Sequence, residues 1–463
     1  MSTVGINFGS ATSGTGFDVT STVTAILADQ QAIETPWKTQ LTTLQAQDAV
    51  FTTLGTDLST LSTNLQALTD AEGVLAEKQG SSSDTNVIAL TSASATAVAG
   101  SHTIVVNSLA STASDYSSEI ANASDTLTGG ITVNGTTLNV VAGTSDTLAT
   151  FAAAINQASL GVSASVISDA NGSRLSLVSN TSGAAGAITV TSTLEDSTTS
   201  TAIGFTESQL GANANITVDG LQLYPSSNTV TGAIPGVTFQ LLSAAPTESV
   251  QIEVTNDNTA IETAVQSFVT AYNAVIADIN GQEKNDSSGN PEPLFGNTTL
   301  SLIQTQLQGA LFGGAASGSI SNIAQLGLSV GDDGTLTFTS STLDSALNSD
   351  FSDVQGYFQN TGSFGENFSN ILNGTVSNGE TSGGLGNQAP YGAVYLAEQQ
   401  NSAQESELNT DISNEQATLA TEQTTLTTEL TTANQELQAI PEQLNEINEI
   451  YSAISGYNQN TGS

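Results

Sequence analysis

From Leu408 to Ile454 an apolar side chain returns every seventh residue, at Ile412, Leu419, Leu426, Ala433, Ile440, Ile447 and Ile454. A seven-residue period held this long suits a helix wound on another helix. With those positions labelled d, the a row reads Asn409, Gln416, Gln423, Leu430, Leu437, Leu444 and Tyr451. That row is polar in its first half and apolar in its second, so the seam is expected to tighten toward the C-terminus. The g row is Glu415, Glu422, Glu429 and Glu436, with almost no basic side chain in the chain to answer it. Interhelical ion pairs therefore do not choose the partner. A helix of this length spans about 70 Å, more than one small core requires, and is expected to reach for other helices.

The N-terminal region carries a matching seam. Trp37, Leu44, Phe51, Leu58 and Leu65 form one row, and Leu54, Leu61, Leu68 and Leu75 form a second three residues on. Between the two ends the sequence is rich in Thr, Ser, Gly and Asn, and its apolar residues alternate. The pattern predicts an α+β chain, with a helical coiled-coil or bundle region built from both chain ends and β-rich domains inserted in the middle.

The charge balance narrows the partners. Four basic residues, Lys38, Lys78, Arg174 and Lys284, stand against 44 acidic ones, a formal charge of −40. Such a chain is repelled by nucleic-acid backbones and anionic lipid surfaces, so neither is expected as a partner. There is no cysteine, which removes disulfides, thiolate nucleophiles and cysteine metal sites together. The N-terminus lacks the basic and apolar regions of a cleavable signal peptide, and no apolar run approaches the roughly 20 residues needed to cross a bilayer, so no membrane insertion is expected.

Along the chain, residues 1–35 read as a flexible N-terminal segment with a short amphipathic helix starting near Asp18 or Thr20. Residues 1–16 are too small and polar to order alone. Thr35-Pro36-Trp37 reads as a cap, a proline tolerated in the first turn, and the first anchor of a long heptad helix over 36–80 that runs to about Glu77. Gly55 weakens that helix by about 1 kcal/mol relative to Ala. Residues 79–86 read as a linker, and 81–258 as β-rich inserted domains, two in number. Asn134-Gly135, Asn171-Gly172 and Asp219-Gly220 supply turns there, and Thr147–Gln157 is a short helix with Leu148, Phe151 and Ile155 on one face. Residues 259–400 read as a helical domain packing on the N-terminal helix, with a hairpin turned at Asp333-Gly334 and a loose segment from Asn360 to Pro390. Residues 401–463 are the C-terminal coiled coil, in which Pro441 is expected to kink or break the helix.

No catalytic constellation emerges, and no catalytic, cofactor-binding or metal-binding residue is assigned. His102 is the chain's one histidine and sits in an alternating strand, where a strand-filling role accounts for it. Asp169-Ala-Asn171-Gly172 and Asp332-Asp333-Gly334 lack the continuation to a bidentate Glu that a calcium loop needs, and turn chemistry explains both. The candidate interface residues are instead those of the two seams: Trp37, Leu44, Phe51, Leu58, Leu65, Ile412, Leu419, Leu426, Leu430, Leu437, Ile440, Leu444, Ile447 and Ile454. An intramolecular bundle and seams that bind other subunits are both compatible with the heptads.

Several stretches then appear in a telling order. They are GFDVTSTV from Gly16, GSHTIVVNSLA from Gly100, and VNGTT, DTLATFAAAIN and RLSLVSNTSGAAGAITV within 131–190. ITVDGL from Ile216 and NTVTGAIPGV from Asn228 follow, then FVTAYN from Phe268, and LGLS with DGTL between Leu326 and Leu336. In this order, and over nearly the whole chain, they resemble the flagellar hook-associated protein 2 family, the flagellar filament cap proteins. The resemblance implies a structural, non-enzymatic protein without cofactor, forming a homo-oligomeric ring of about four to six subunits at the distal end of the bacterial flagellum. It further implies promotion of flagellin insertion, contact with the hook-associated junction protein, and export without a cleavable signal. An export chaperone would bind at the C-terminus, near 441–463. Where family coils carry mixed charges, this chain has Glu at g with Gln, Thr and Asn elsewhere, so self-association should strengthen with salt or mild acid. The alternatives are a hook-filament junction protein or flagellin-like subunit, which the FVTAYN and DGTL stretches disfavour, and an adhesin on a coiled stalk.

Overall fold

The computed structural model describes residues 15–377 and 380–455. The chain divides into two compact units, one formed by both chain ends (1–69 and 265–463) and one by the stretch between, 70–264.

In the first unit, α1 (Val19–Gln31) starts where the Asp18 side chain accepts the Ser21 N–H, and α2 (Glu34–Thr69) follows a short turn with Pro36 in its first turn. A proline is harmless there because the first helical N–H groups have no intrahelical partner. The two leucine rows of α2 are buried, with Phe51, Leu54, Leu58, Leu61, Leu65 and Leu68 all between 0% and 2% exposed. The helix ends earlier than its heptads predict. At Thr69 an Asp70–Gly73 turn takes over, with the Asp70 carboxylate accepting the Glu72 N–H and its carbonyl accepting the Gly73 N–H. Leu75, the last member of the second row, therefore belongs to the other unit, where it is buried.

The second unit holds two hydrophobic cores. Among the described residues, a five-stranded antiparallel sheet runs in the order Lys78–Ser82, Ala245–Asn256, Gly100–Ser108, Asn215–Val218, Leu221–Leu223. A three-stranded sheet of Thr229–Ile234, Val237–Leu241 and Ile88–Ala93 shares its core, centred on Ile88, Ile104, Val106, Ile216, Phe239 and Ile252. Residues 79–86, expected as a linker, thus begin with a strand. Lys78–Ser82 pairs residue by residue with Ile252–Asn256, and this polar segment is held by backbone hydrogen bonds and not by an apolar face. The second core lies in the segment between the Ser111–Ala212 bridge residues, where α3 (Leu148–Gln157) packs Phe151 and Ile155 against Leu175 and Leu177 of a four-stranded sheet. Thr147 caps α3 through a reciprocal capping box with Thr150. The Asn134-Gly135 and Asp219-Gly220 turns have positive φ at both residues, the requirement of a two-residue hairpin.

Back in the first unit are α4 (Asn258–Gln282, from Val265 on), α5 (Thr298–Leu311), α6 (Ser340–Gln359) and α7 (Phe364–Asn373). α6 bends at Asp350, whose backbone is non-helical. Phe268 and Tyr272 of α4, Tyr357 and Phe358 of α6, and Phe364 and Phe368 of α7 form one aromatic cluster, with Tyr357 stacked on Phe364 at 5.3 Å. α7 lies within the segment expected to be loose. Its signal was Ser363-Phe-Gly-Glu366, where the Ser363 side chain accepts the Glu366 N–H, followed by Phe364, Phe368 and Leu372 on one face. Asn273 of α4 grips the hairpin Leu328–Phe338, its amide donating to the Leu336 carbonyl at 2.8 Å and its carbonyl oxygen accepting the Leu336 N–H at 2.6 Å.

The chain closes with α8 (Ala393–Ser455), which starts eight residues before the coiled coil expected over 401–463 and is continuous through Pro441. That corrects the expected break. Proline removes one N–H from the ladder, and at this partly exposed position the helix carries on past the loss. The remainder of the predicted coil, 456–463, lies outside the described residues, as does the N-terminal stretch 1–14.

Candidate assembly surface

α8 lies antiparallel to α1 and α2, and hydrogen bonds mark a constant register along its length. Thr52 donates to Glu398, the Asn401 amide to Asp48 at 2.7 Å, Gln416 to Glu34, Gln30 to Glu422 at 3.0 Å, and the Phe17 N–H to the Asn434 side chain at 2.8 Å. As the partner residue climbs α8, its mate steps back along α2 and α1 at the same pace. Between these bonds runs the apolar seam. Val23 and Leu27 of α1 are buried with Leu419, flanked by Val19, Leu426 and Leu430. Residues 15–35, read as a flexible segment, are therefore packed along α8, because α1 has an apolar stripe and α8 offers its d row to cover it.

Glu34 sits at the joint of α1 and α2, 4% exposed. Its carboxylate is held below the usual range first by the Lys38 ammonium, then by the Gln416 amide, against the opposing effect of burial. Amides take the place of cations elsewhere along the coil, where Gln and Asn supply the donors.

The predicted interface residues separate into two groups. Leu44, Phe51, Leu58 and Leu65 are buried in the chain's own core, as are Ile412 and Leu419, while Trp37, Leu426, Leu430, Leu437 and Ile440 are half-buried. Leu444, Ile447 and Ile454 are exposed, together with Ile450 and Tyr451, which reach 59% and 67%. Within one chain the seam thus opens toward the C-terminus, the reverse of the tightening its composition predicts. Among the described residues, α1 begins at Val19 and the hydrogen bond between Phe17 and Asn434 lies at this end of the paired stretch.

The open end differs from the closed part in a way the heptad register shows but the seam list alone does not. From residue 437 on, the acids Glu442, Glu446 and Glu449 occupy positions c and f on the outer face, and the g position, Glu in the four preceding heptads, becomes Gln443 and then Ile450. Charge leaves the seam where the chain leaves it uncovered. An apolar face of a, d and g residues free of like-charged neighbours is suited to packing against another helix.

Elsewhere the polar clusters are structural. His102 Nδ1 lies 2.7 Å from Asp219 Oδ2, and this contact, with the Thr103 N–H, holds the Asp219 carboxyl below its usual range beside the hairpin turn. Among the described residues no group of three metal-ligating side chains forms, and no helix is long and apolar enough to cross a membrane.

Comparison with known proteins gives a consistent result. A family model described as the flagellar hook-associated protein 2 N-terminus matches residues 15–113, and one described as its C-terminus matches residues 211–453. The interval between them coincides with the segment that builds the second core of the β unit. The B-type flagellar hook-associated protein 2 of Pseudomonas aeruginosa is 31% identical over 361 residues, 69% of this chain and 74% of the relative. The flagellar hook-associated protein 2 of Escherichia coli K12 is 30% identical over 372 residues, 74% of this chain and 78% of the relative. Among solved structures, the D1-D2-D3 domains of the flagellar cap protein FliD from Escherichia coli match with a TM-score of 0.52 at 26% identity, covering 76% of this chain and 95% of that one.

Proposed function

Because this chain belongs to the flagellar hook-associated protein 2 family, a family of flagellar filament cap proteins, we propose that it caps the distal end of a filament as a homo-oligomeric ring and promotes insertion of flagellin beneath it. The role is structural and extracellular, with no cofactor and no reaction. The observation that carries the reading is the uncovered seam of α8, Leu444 to Ile454, extending an intramolecular coil that both chain ends build. A helix whose apolar face is finished by its own chain over one stretch and left open over the next is arranged to be completed by other helices. Those are supplied by neighbouring subunits, by flagellin or by the hook-associated junction protein. The same face, from Pro441 onward, is where an export chaperone would cover the chain before assembly.

The test is the mass of the full-length protein in solution by light scattering, beside a variant carrying Leu444→Ser, Ile447→Ser, Tyr451→Ser and Ile454→Ser. These positions are solvent-exposed in the single chain, so the variant is expected to fold. A closed oligomer of about four to six subunits that dissociates in the variant supports a ring joined through the terminal coils. Monomers in both proteins at several salt concentrations would overturn it.

A further inference from the structure

α5 buries one face and leaves the opposite one open. Leu300, Ile303, Leu307, Ala310 and Leu311 are buried, while Leu302 is 46% exposed and Phe312, directly after the last turn, 74%. Thr305 and Gly309 lie between these two on the same exposed face. Positions 302, 305, 309 and 312 are spaced as the a and d residues of a helix-packing seam are. From Thr298 to Phe312 there is no charged residue, in a chain with 44 acids. Gly309 also leaves a hole in this face, since a Cβ built there would meet nothing within 4 Å. Glycine weakens a helix, and here nothing of the chain's own fills the space it opens.

The open end of α8 has the complementary form. Leu444, Ile447, Tyr451 and Ile454 repeat the spacing of 302, 305, 309 and 312 over the same length, about 15 Å. They are bulky where Thr305 and Gly309 are small, as knobs that enter holes must be. Their acids, Glu442, Glu446 and Glu449, stay on the outer face. The two faces do not meet within one chain. α5 starts beside the beginning of α8, where Thr298 and Thr299 share a groove with Gln400 and Gln404. Roughly 65 Å of helix separates Gln404 from Ile447, and α5 is only about 21 Å long.

We propose that the exposed face of α5 receives the open end of α8 from a second copy of this chain. The contact presupposes that neighbouring subunits complete the α8 seam, and it names the surface that does so. Each copy carries both faces once, so each gives one contact and receives one. Such a heterologous contact closes into a ring where the rotation between subunits allows it.

The experiment uses the full-length protein, which has no cysteine of its own. Gly309→Cys and Ile447→Cys proteins are purified separately, mixed to exchange subunits, and oxidised. A disulfide dimer containing one of each is expected, with little dimer from either protein alone. Independently, Gly309→Glu places a carboxylate in the seam at a position with room for it. Its helical circular dichroism is expected to match wild type, while the protein concentration at which the oligomer half-dissociates rises by at least about tenfold, because docking would bury an unpaired charge. Thr305→Glu serves the same purpose should that variant not fold. An oligomer as tight in the folded variant as in wild type, or Ile447→Cys protein that cross-links only to itself, overturns the α5 contact and leaves a ring joined by other surfaces standing. A wild-type protein that is monomeric throughout overturns both.

Discussion

The residue that ties two of the sequence signatures together is Asn273. It ends FVTAYN on α4, and both arms of its amide bond to the backbone of Leu336, the last residue of DGTL. The side chain stands in for a neighbouring strand, which explains why these stretches accompany one another without any shared chemistry of catalysis. Asn273→Ala leaves a buried N–H and carbonyl without partners, at a cost of about 2–3 kcal/mol, read as a lower urea midpoint. Replacement by Gln, one methylene longer, should not restore it. Glu34 carries a prediction about acid. Its pKa is lowered by Lys38 and Gln416, so its contribution is present above the unfolded value of about 4.3 and is lost as pH falls through the lowered folded value. Trp37, the one tryptophan, lies three residues on and half-buried. Its emission is expected to hold steady from about pH 7 to about pH 5 and to shift red in stronger acid. Glu34→Gln should abolish that step, and an identical shift in the variant would locate the transition elsewhere.

At the scale of elements, Pro441 is the sharpest case. α8 runs through it, so the residue costs helix stability without ending the helix, and Pro441→Ala should recover up to about 3 kcal/mol locally. Slower hydrogen exchange over 437–455 with no change upstream of 430 is the expected signature, while unchanged exchange would mean the proline carries no penalty there. Elements with an apolar period were legible in the sequence: the leucine rows of α2, the broad face of α4 from Ile261 to Ile279, and α3 behind its Thr147 cap. What the sequence hid were elements held by something other than that period. Lys78–Ser82 is a strand because its backbone pairs with Ile252–Asn256, and its side chains alternate only between partly covered and exposed. α7 sat in a Gly, Ser and Asn-rich stretch whose composition masked a capping signature and three buried apolar residues. The seam itself was visible, but not which part of it the chain would cover. That depends on the antiparallel register of α1 on α8, between residues some 400 positions apart in sequence.

For the whole molecule, the governing quantity is a charge of −40 carried with four bases. Copies of such a chain repel one another, yet the open seam of α8 is built without acids at a, d or g, so the repulsion that opposes assembly is long-ranged and not local to the contact. Long-range repulsion between exposed charges is screened over about 10 Å at 0.1 M salt. Raising salt from low to moderate should therefore strengthen self-association at constant pH, measured as a shift of the light-scattering mass to lower protein concentration. Glu436→Gln, which removes the last acid of the g row, should reduce that salt dependence slightly. An oligomer whose size and stability were the same at low and moderate salt would show the acidic g row to be irrelevant to assembly.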